Sequence, residues 1–145
     1  MKIKSLVLSI MSAFLVSCSI PQSSSEVVNK SKDIGSLCYD LSPEVVNQRL
    51  DSYMVSCYRP FQSATYAAGM IIPMTIHQEV VKERLPYGNR YSVKNKLGYA
   101  FTAEVVPNIQ GCNTFVKAYA YSNGWQRHLK PLDDAVKGNP ANCPK

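Results

Sequence analysis

The stretch Leu97–Val105, with the sequence LGYAFTAEV, decides the fold that the chain is predicted to adopt. Apolar side chains alternate here with small or polar ones, which is the pattern of a β-strand with one buried face. Asn95-Lys96 before the stretch is a turn sequence, and so are Pro107-Asn108 and Gly111 after it. The sequence therefore predicts a strand between two turns, with an apolar face formed by Leu97, Tyr99, Phe101, Ala103 and Val105.

Three further strands are predicted around this one. Residues 74–85, 90–94 and 114–121 are rich in β-branched and aromatic side chains, and turn sequences separate them. Strands that are joined by hairpin turns pair antiparallel. The sequence therefore predicts a four-stranded antiparallel meander, whereas residues 58–72 show no clear period and stay unassigned.

Two amphipathic helices are predicted, one at each end of the meander. Ser42-Pro43-Glu44 is a strong helix start, and apolar residues recur at helical spacing from there to about Cys57. A second apolar stripe runs from Trp125 to Val136, and Gly138 follows it as a stop signal. Because one face of the sheet has to be covered, we expect a two-layer α+β domain with the order α-β4-α.

Residues 1–17 have the composition of a secretion signal. Lys2 and Lys4 precede an apolar run that is too short to be an ordinary membrane span. The run ends in Leu15-Val16-Ser17-Cys18, which resembles the lipobox of bacterial lipoprotein precursors. The resemblance implies that the chain is cleaved before Cys18, and that Cys18 carries a diacylglycerol on its sulfur and usually a further acyl chain on its amine. The alternative is an ordinary signal peptide that contains a cysteine.

The lipoprotein resemblance also implies a location. Two or more acyl chains anchor a protein stably to a membrane. In enterobacterial lipoproteins an Asp after the lipidated cysteine favours retention in the inner membrane, and this chain has Ser19 there. We therefore expect an outer-membrane lipoprotein that faces the periplasm. Residues 18–36 are predicted to be a flexible lipidated tether, and residues 37–145 a single globular domain.

Four cysteines besides Cys18 are expected to form two disulfides in an oxidising compartment. A zinc site is the rival interpretation, but no Cys-x-x-Cys spacing supports it. If the first helix runs antiparallel to the first strand, its start lies near the turn that contains Cys112. This favours the pairs Cys38–Cys112 and Cys57–Cys143, although the long connection 58–72 leaves the alternative pairing open.

The net charge of +6, of which Lys2 and Lys4 in the signal contribute two, makes the chain mildly basic. This suits a position near anionic lipid or an acidic cell-wall polymer. The cations are scattered along the chain, so the sequence argues against nucleic-acid binding.

The sequence predicts no catalytic residue, no cofactor-binding residue and no metal ligand. His77, Glu79 and Glu83 share one face of a predicted strand, and we interpret them as a solvated surface rather than a metal or acid–base site. His128 lies on the apolar stripe of the last helix and is expected at the edge of the core. Asp133-Asp134 point about 100° apart on a helix, so they make a poor general acid–base pair.

A partner surface is predicted on the outer face of the sheet, where tyrosines and lysines would occur together. Such a mixture suits cell-wall sugars or an acidic protein. We therefore expect a non-enzymatic binding or assembly module with an envelope protein or peptidoglycan as its partner. The alternatives are an inhibitor of a lysozyme-like hydrolase, which should be acidic, and a small enzyme that uses His77. The surface would contain Tyr91, Lys94, Lys117, Tyr119 and Tyr121.

Overall fold

The structure, a computed structural model, describes residues 19–109 and 111–144, so the predicted lipobox and Cys18 lie outside the described residues. The helices are α1 (Ser24–Lys30), α2 (Pro43–Cys57) and α3 (Leu129–Lys137), and a 3-10 turn, Asn123–His128, leads into α3. The strands are β1 (Lys32–Tyr39), β2 (Phe61–Ala67), β3 (Met70–Ile76), β4 (Gln78–Leu85), β5 (Gly88–Asn95), β6 (Gly98–Ile109) and β7 (Cys112–Ala120).

The main sheet is antiparallel and has the strand order β1-β7-β6-β5-β4. The predicted α+β class and the antiparallel meander β4 to β7 are thereby confirmed, but the prediction of four strands is wrong. The fifth strand, β1, pairs with the edge of β7, where Leu37 lies opposite Val116 and Tyr39 opposite Thr114. Such an edge strand is held by backbone hydrogen bonds, so its side chains carry little of the alternating signal that identifies central strands.

The segment predicted as a flexible tether contains α1 and part of β1 instead. The side chain of Ser23 accepts a hydrogen bond from the Glu26 backbone N–H at 3.1 Å, and Glu26 accepts one from the Gln22 backbone N–H at 2.9 Å. This is a variant of the capping box, a helix start that the serine run obscured. The side chain of Val27 is completely buried, which docks the short helix onto the sheet.

Helices lie on both faces of the sheet, so the predicted two-layer arrangement is wrong. On one face, the core side chains of β5, β6 and β7 pack against α2 and α3, which contribute Leu50, Met54, Leu132 and Val136. On the other face α1 lies over β6. The polar side chains of Thr102 and Glu104 are buried on that face. Successive side chains of a strand point to alternate faces of the sheet, so these two point away from the face that contains Phe101 and Ala103.

The unassigned residues 58–72 belong mostly to a hairpin that projects from the domain. Strands β2 and β3 pair only with each other in the described sheets, and Ala68 and Gly69 form their turn with φ of +51° and +78°. The single strand predicted for residues 74–85 is divided at His77, because β3 pairs with β2 whereas β4 joins the main sheet. A hairpin exposed on both faces has little reason to alternate, which explains its weak sequence signal.

Two disulfides are present, as predicted. They join Cys38 to Cys112 and Cys57 to Cys143, with Cα–Cα distances of 5.5 and 5.1 Å, and this is the pairing that the sequence favoured. The first ties β1 to the start of β7, and the second ties the end of α2 to the C-terminal tail. Among the described residues, no helix has the length and apolar character needed to cross a membrane.

Candidate functional site

A concave surface with chemical character lies where the end of α2, the base of the β2–β3 hairpin, the 3-10 turn and the C-terminal tail meet. It is a groove of about 730 Å³, and we call it the aromatic groove. The Cys57–Cys143 disulfide belongs to its lining and joins the C-terminal tail to the end of α2. The lining residues are Ser56, Cys57, Tyr58, Arg59, Phe61, Gln78, Ser122, Gly124, Trp125, Arg127, His128, Cys143 and Pro144.

Stacked rings form the floor of the aromatic groove. The ring centroids of Trp125 and His128 are 4.3 Å apart, and Trp125 also stacks on Phe101 at 5.9 Å. Tyr58 stacks on His128 at 5.7 Å. Phe101 belongs to the buried core of β6, so the half-exposed Trp125 rests on a rigid support. An aromatic platform that is held in this way can offer its free face to a ligand without losing side-chain entropy.

His128 is buried and its imidazole is held by Tyr58. The Tyr58 hydroxyl and the His128 Nδ1 are 2.6 Å apart. Burial, with a smaller effect from the neighbouring Arg127, lowers the pKa of His128 to about 4. Burial raises the pKa of Tyr58 well above its ordinary value. Both groups are therefore neutral at neutral pH, and their hydrogen bond fixes the ring rather than preparing it for proton transfer to a ligand.

The rim of the aromatic groove is positively charged. Arg59 and Arg127 are both exposed at its edges, and no Asp or Glu occurs among its described lining residues. Guanidinium groups bind carboxylates through two parallel hydrogen bonds. Both lining cysteines are oxidised, so neither is a thiol nucleophile. The arrangement can bind an anionic ligand that has a flat or apolar face, and the described residues contain no cluster of three metal-type ligands.

The predicted partner surface is not assembled as the sequence suggested. Tyr91 is 7% exposed and faces the core, and its hydroxyl donates to the Asn47 side chain at 2.9 Å, so its assignment to the surface is wrong. Lys117 is ion-paired with Asp33 at 3.2 Å and lies over the ring of Tyr119.

The other two predicted surface residues also lie outside the aromatic groove. Lys94 is ion-paired with Glu79 at 3.1 Å, which leaves no strong cationic patch at this position. Tyr121 is 40% exposed.

The other titratable residues considered from sequence occupy structural positions. His77 is exposed between β3 and β4, Glu79 pairs with Lys94, and Glu83 turns toward Arg90, with a separation of 3.5 Å. These three groups do not form one site. Asp133 and Asp134 each pair with a lysine four residues away on α3, as expected for a polar helix face.

Sequence reasoning missed the aromatic groove because its parts are distant along the chain. Arg59 precedes β2 and Phe61 begins it, whereas the 3-10 turn after β7 contains Trp125, Arg127 and His128. Trp125 and His128 were assigned only to a helical core stripe. The available signal was the disulfide, since pairing Cys57 with Cys143 places Tyr58-Arg59 beside the C-terminal segment.

Because the His128 imidazole is buried, we expect the stability of the protein to depend on pH. The pKa of His128 is near 6.5 in the unfolded chain and about 4 in the fold, so the unfolded state binds more protons between these values. The contribution of the buried, neutral His128 to the free energy of unfolding should be fully present above pH 6.5. It should fall as the pH drops through this window and be lost below about pH 4. We expect a decrease on the order of 3 kcal/mol in the free energy of unfolding, measured by urea denaturation across this range.

Two single substitutions separate this effect from the titration of carboxylates. His128→Gln should remove the histidine part of the pH dependence, whatever its effect on stability at neutral pH. His77→Gln, at the exposed histidine, should leave the profile as in the wild type. An unchanged profile in the His128 variant would contradict the prediction.

Comparison of the chain with known protein families, curated proteins and solved structures gave no match. The geometry of the aromatic groove and the lipobox resemblance are therefore the features of the chain that bear on its function.

Proposed function

We propose that the chain is a lipid-anchored protein of the bacterial envelope whose domain is a non-enzymatic binding module, and that the aromatic groove binds a carboxylate-bearing fragment of the cell wall. One observation carries the proposal: the Trp125 platform shares with Arg59 and Arg127 a groove whose described lining includes no acidic residue. Aromatic rings and arginines are the side chains most enriched where proteins bind their partners.

The chemistry of peptidoglycan fits these side chains. Its sugar rings have apolar faces that can lie on an indole, and its peptide stems end in carboxylates that guanidinium groups can bind. Cleavage before Cys18 would remove Lys2 and Lys4 and lower the net charge from +6 to +4, which still adds a weak attraction to an acidic polymer. A lysozyme-like target is disfavoured, because a basic enzyme would meet arginines of the same sign at this rim.

The protonation and hydrogen bonding of the His128 side chain favour a binding role for the groove over a catalytic one. A general base must reach the substrate and change its protonation near the working pH. The His128 Nδ1 is engaged by Tyr58, and the pKa of His128 is lowered to about 4 by burial. The imidazole is therefore better suited to support Trp125 than to move a proton.

The anchor part of the proposal is tested at Cys18. Mass spectrometry of the purified protein should show an N-terminal Cys18 that carries a diacylglycerol and a further acyl chain. Cys18→Ala should prevent acylation and release the protein from the membrane fraction. An N-terminus at another residue, or an unmodified Cys18, would support the ordinary signal peptide instead.

Binding is tested at Arg127. We expect Arg127→Ala to weaken the binding of soluble muropeptides about five- to tenfold in calorimetric titration, because the exposed guanidinium is lost without any change in the core. Binding should also weaken as salt is added. Lys130→Ala is the matched control, since Lys130 is an exposed cation close in sequence but outside the groove. Equal loss in both variants, or no binding by the wild type, would refute the cell-wall ligand.

A further inference from the structure

The β2–β3 hairpin exposes an unusual amount of apolar surface. All of its residues are exposed except Ser63 and Ile76, which are half-buried. The segment Phe61–Ile76, FQSATYAAGMIIPMTI, contains no charged residue. Its exposed large apolar side chains are Phe61, Tyr66, Met70, Ile71, Ile72 and Met74.

The tip of the hairpin is apolar on both faces, whereas its base is apolar on one face, where Phe61 lies opposite Ile76, and polar on the other. One face includes the pair Ala67 and Met70 at the tip. On the other face Tyr66 lies opposite Ile71 at the tip, but Gln62 lies opposite Thr75 at the base, and their side chains are 3.0 Å apart in a hydrogen bond. The apolar character therefore surrounds the end of the hairpin.

The two apolar faces of the tip indicate what kind of partner could cover it. A two-stranded hairpin is only marginally stable in water, and contiguous exposed apolar surface marks a contact with a protein or a membrane. A groove on a folded partner would cover mainly one face of the hairpin. The boundary between the headgroups and acyl chains of a bilayer would cover both faces of the tip and leave the base in water.

The start of the described chain lies at the same end of the sheet as the base of the hairpin. The Pro21 carbonyl accepts a hydrogen bond from the Tyr99 N–H at 2.8 Å, and the Gln22 side chain donates to the Leu97 carbonyl at 3.0 Å. Both contacts are at the β5–β6 turn. A second hollow, of about 520 Å³, is lined by residues 94–96 of that turn together with Pro60 and His77 at the hairpin base.

Chain length then limits where Cys18 can be. Cys18 precedes Pro21 by three residues, so its Cα lies within about 11 Å of the Pro21 Cα. An acylated Cys18 would hold this end of the domain against a bilayer. The hairpin strands have seven residues each and span about 23 Å, which exceeds the roughly 5–10 Å to which interfacial elements enter a membrane.

We propose that the tip of the β2–β3 hairpin inserts into the membrane surface to which the domain is anchored, and that Tyr66, Met70 and Ile71 enter the acyl-chain boundary. These side chains are 78%, 64% and 61% exposed. The exposed cations Arg59 and Lys96 lie beside the hairpin base, where they suit anionic headgroups. The inference uses the proposed lipid anchor to bring the domain to the bilayer, and it adds a second, reversible contact.

Insertion is tested with a tryptophan at the tip. The full chain carrying Tyr66→Trp is purified as the cell produces it and placed in vesicles of phosphatidylethanolamine and phosphatidylglycerol. Emission from the new indole should shift to the blue and be quenched when the acyl chains carry bromine. Tyr87→Trp is the matched control, because Tyr87 is 50% exposed and the β4–β5 turn lies at the opposite end of the sheet. The native Trp125 contributes the same background emission in both variants.

We expect quenching at residue 66 and none above the common background at residue 87. Adding Ile71→Asp to the Tyr66→Trp chain should abolish the quenching, since a carboxylate at the tip opposes insertion while an exposed position leaves the fold intact. Equal quenching at the two positions, or quenching that persists with Asp at position 71, would overturn the inference. A blue shift of residue 66 that accompanies self-association without vesicles would also overturn it, in favour of a second copy as the occupant.

Mass spectrometry of the same samples separates this inference from the proposed anchor. An acylated Cys18 with no quenching at residue 66 would overturn the insertion and keep the anchor. Quenching at residue 66 in a chain whose Cys18 is unmodified would keep the insertion and overturn the anchor.

Discussion

Glu104→Ala is expected to lower the free energy of unfolding by about 3 kcal/mol, because it leaves the buried Arg90 guanidinium without its main partner. Each residue is only 6% exposed. The Arg90 Nη2 and Nε donate to the Glu104 Oε1 at 2.7 and 3.0 Å. Glu83, at 3.5 Å from Arg90, is the remaining carboxylate, and it is too exposed to replace Glu104. Urea denaturation of the variant and the wild type measures the difference.

The same substitution should loosen α1. The Arg90 Nη1 donates to the Ser24 and Ser25 hydroxyls at 3.1 and 2.9 Å, so the ion pair positions the first turn of the helix on the sheet. Hydrogen exchange of the α1 amides should therefore accelerate more than that of the α2 amides. Uniform acceleration in both helices would contradict this local effect.

Two further variants show whether the uncompensated charge of Arg90 or the loss of a packing contact causes the decrease in stability. Glu79→Ala removes a carboxylate from an exposed pair with Lys94, and it should cost less than about 1 kcal/mol. The double variant Arg90→Met/Glu104→Leu removes both charges and should recover most of the stability lost by Glu104→Ala. If the double variant is less stable than the single one, packing rather than the uncompensated charge explains the loss.

Local signals allowed the central part of the fold to be predicted. The alternation through Phe101 and Ala103 correctly identified β6, and Ser42-Pro43 correctly placed the start of α2, where the Ser42 side chain accepts from the Val45 N–H. Two details differ. Pro107 and Asn108, predicted as part of the following turn, lie inside β6, and the chain turns at Gly111. Leu97 belongs to the β5–β6 turn and is 67% exposed, because the Asn95 side chain accepts from the Leu97 and Gly98 N–H groups. A turn stabilised by a side chain can place an apolar residue in water.

The placement of Tyr91 beside Lys94 is an error of strand period, whereas the other errors arise because a second element decides the environment of a residue. Tyr91 and Lys94 are three positions apart in β5, so the period of two places them on opposite faces of the sheet, and Val93 beside Tyr91 marks the core face. The sequence does not predict that α1 covers the other face, because residues 24–30 fall within the predicted tether. The aromatic groove needed the tail and the hairpin base to meet, and only the disulfide pairing carried that information.

Removal of the Cys57–Cys143 disulfide is expected to lower the free energy of unfolding by about 2–5 kcal/mol. The bridge closes a segment with a sequence separation of 86 residues, so its loss increases the conformational entropy of the unfolded chain. The double substitution Cys57→Ala/Cys143→Ala avoids free thiols and is compared with the wild type by denaturation without reductant. Cys38→Ala/Cys112→Ala is the matched control for stability, since its separation of 74 residues predicts a similar loss.

The two disulfides should differ in their effect on the aromatic groove. Cys57 and Cys143 lie in its wall, whereas Cys38 and Cys112 join β1 to β7 and are not among its lining residues. Under conditions where both variants remain folded, loss of Cys57–Cys143 should weaken muropeptide binding and increase the exposure of Trp125 to a soluble quencher. Loss of Cys38–Cys112 should leave both measurements near the wild-type values. Equal binding by the two variants would show that the C-terminal tail does not shape the ligand site, and the recognition would then depend on Arg59, Trp125 and Arg127 without it.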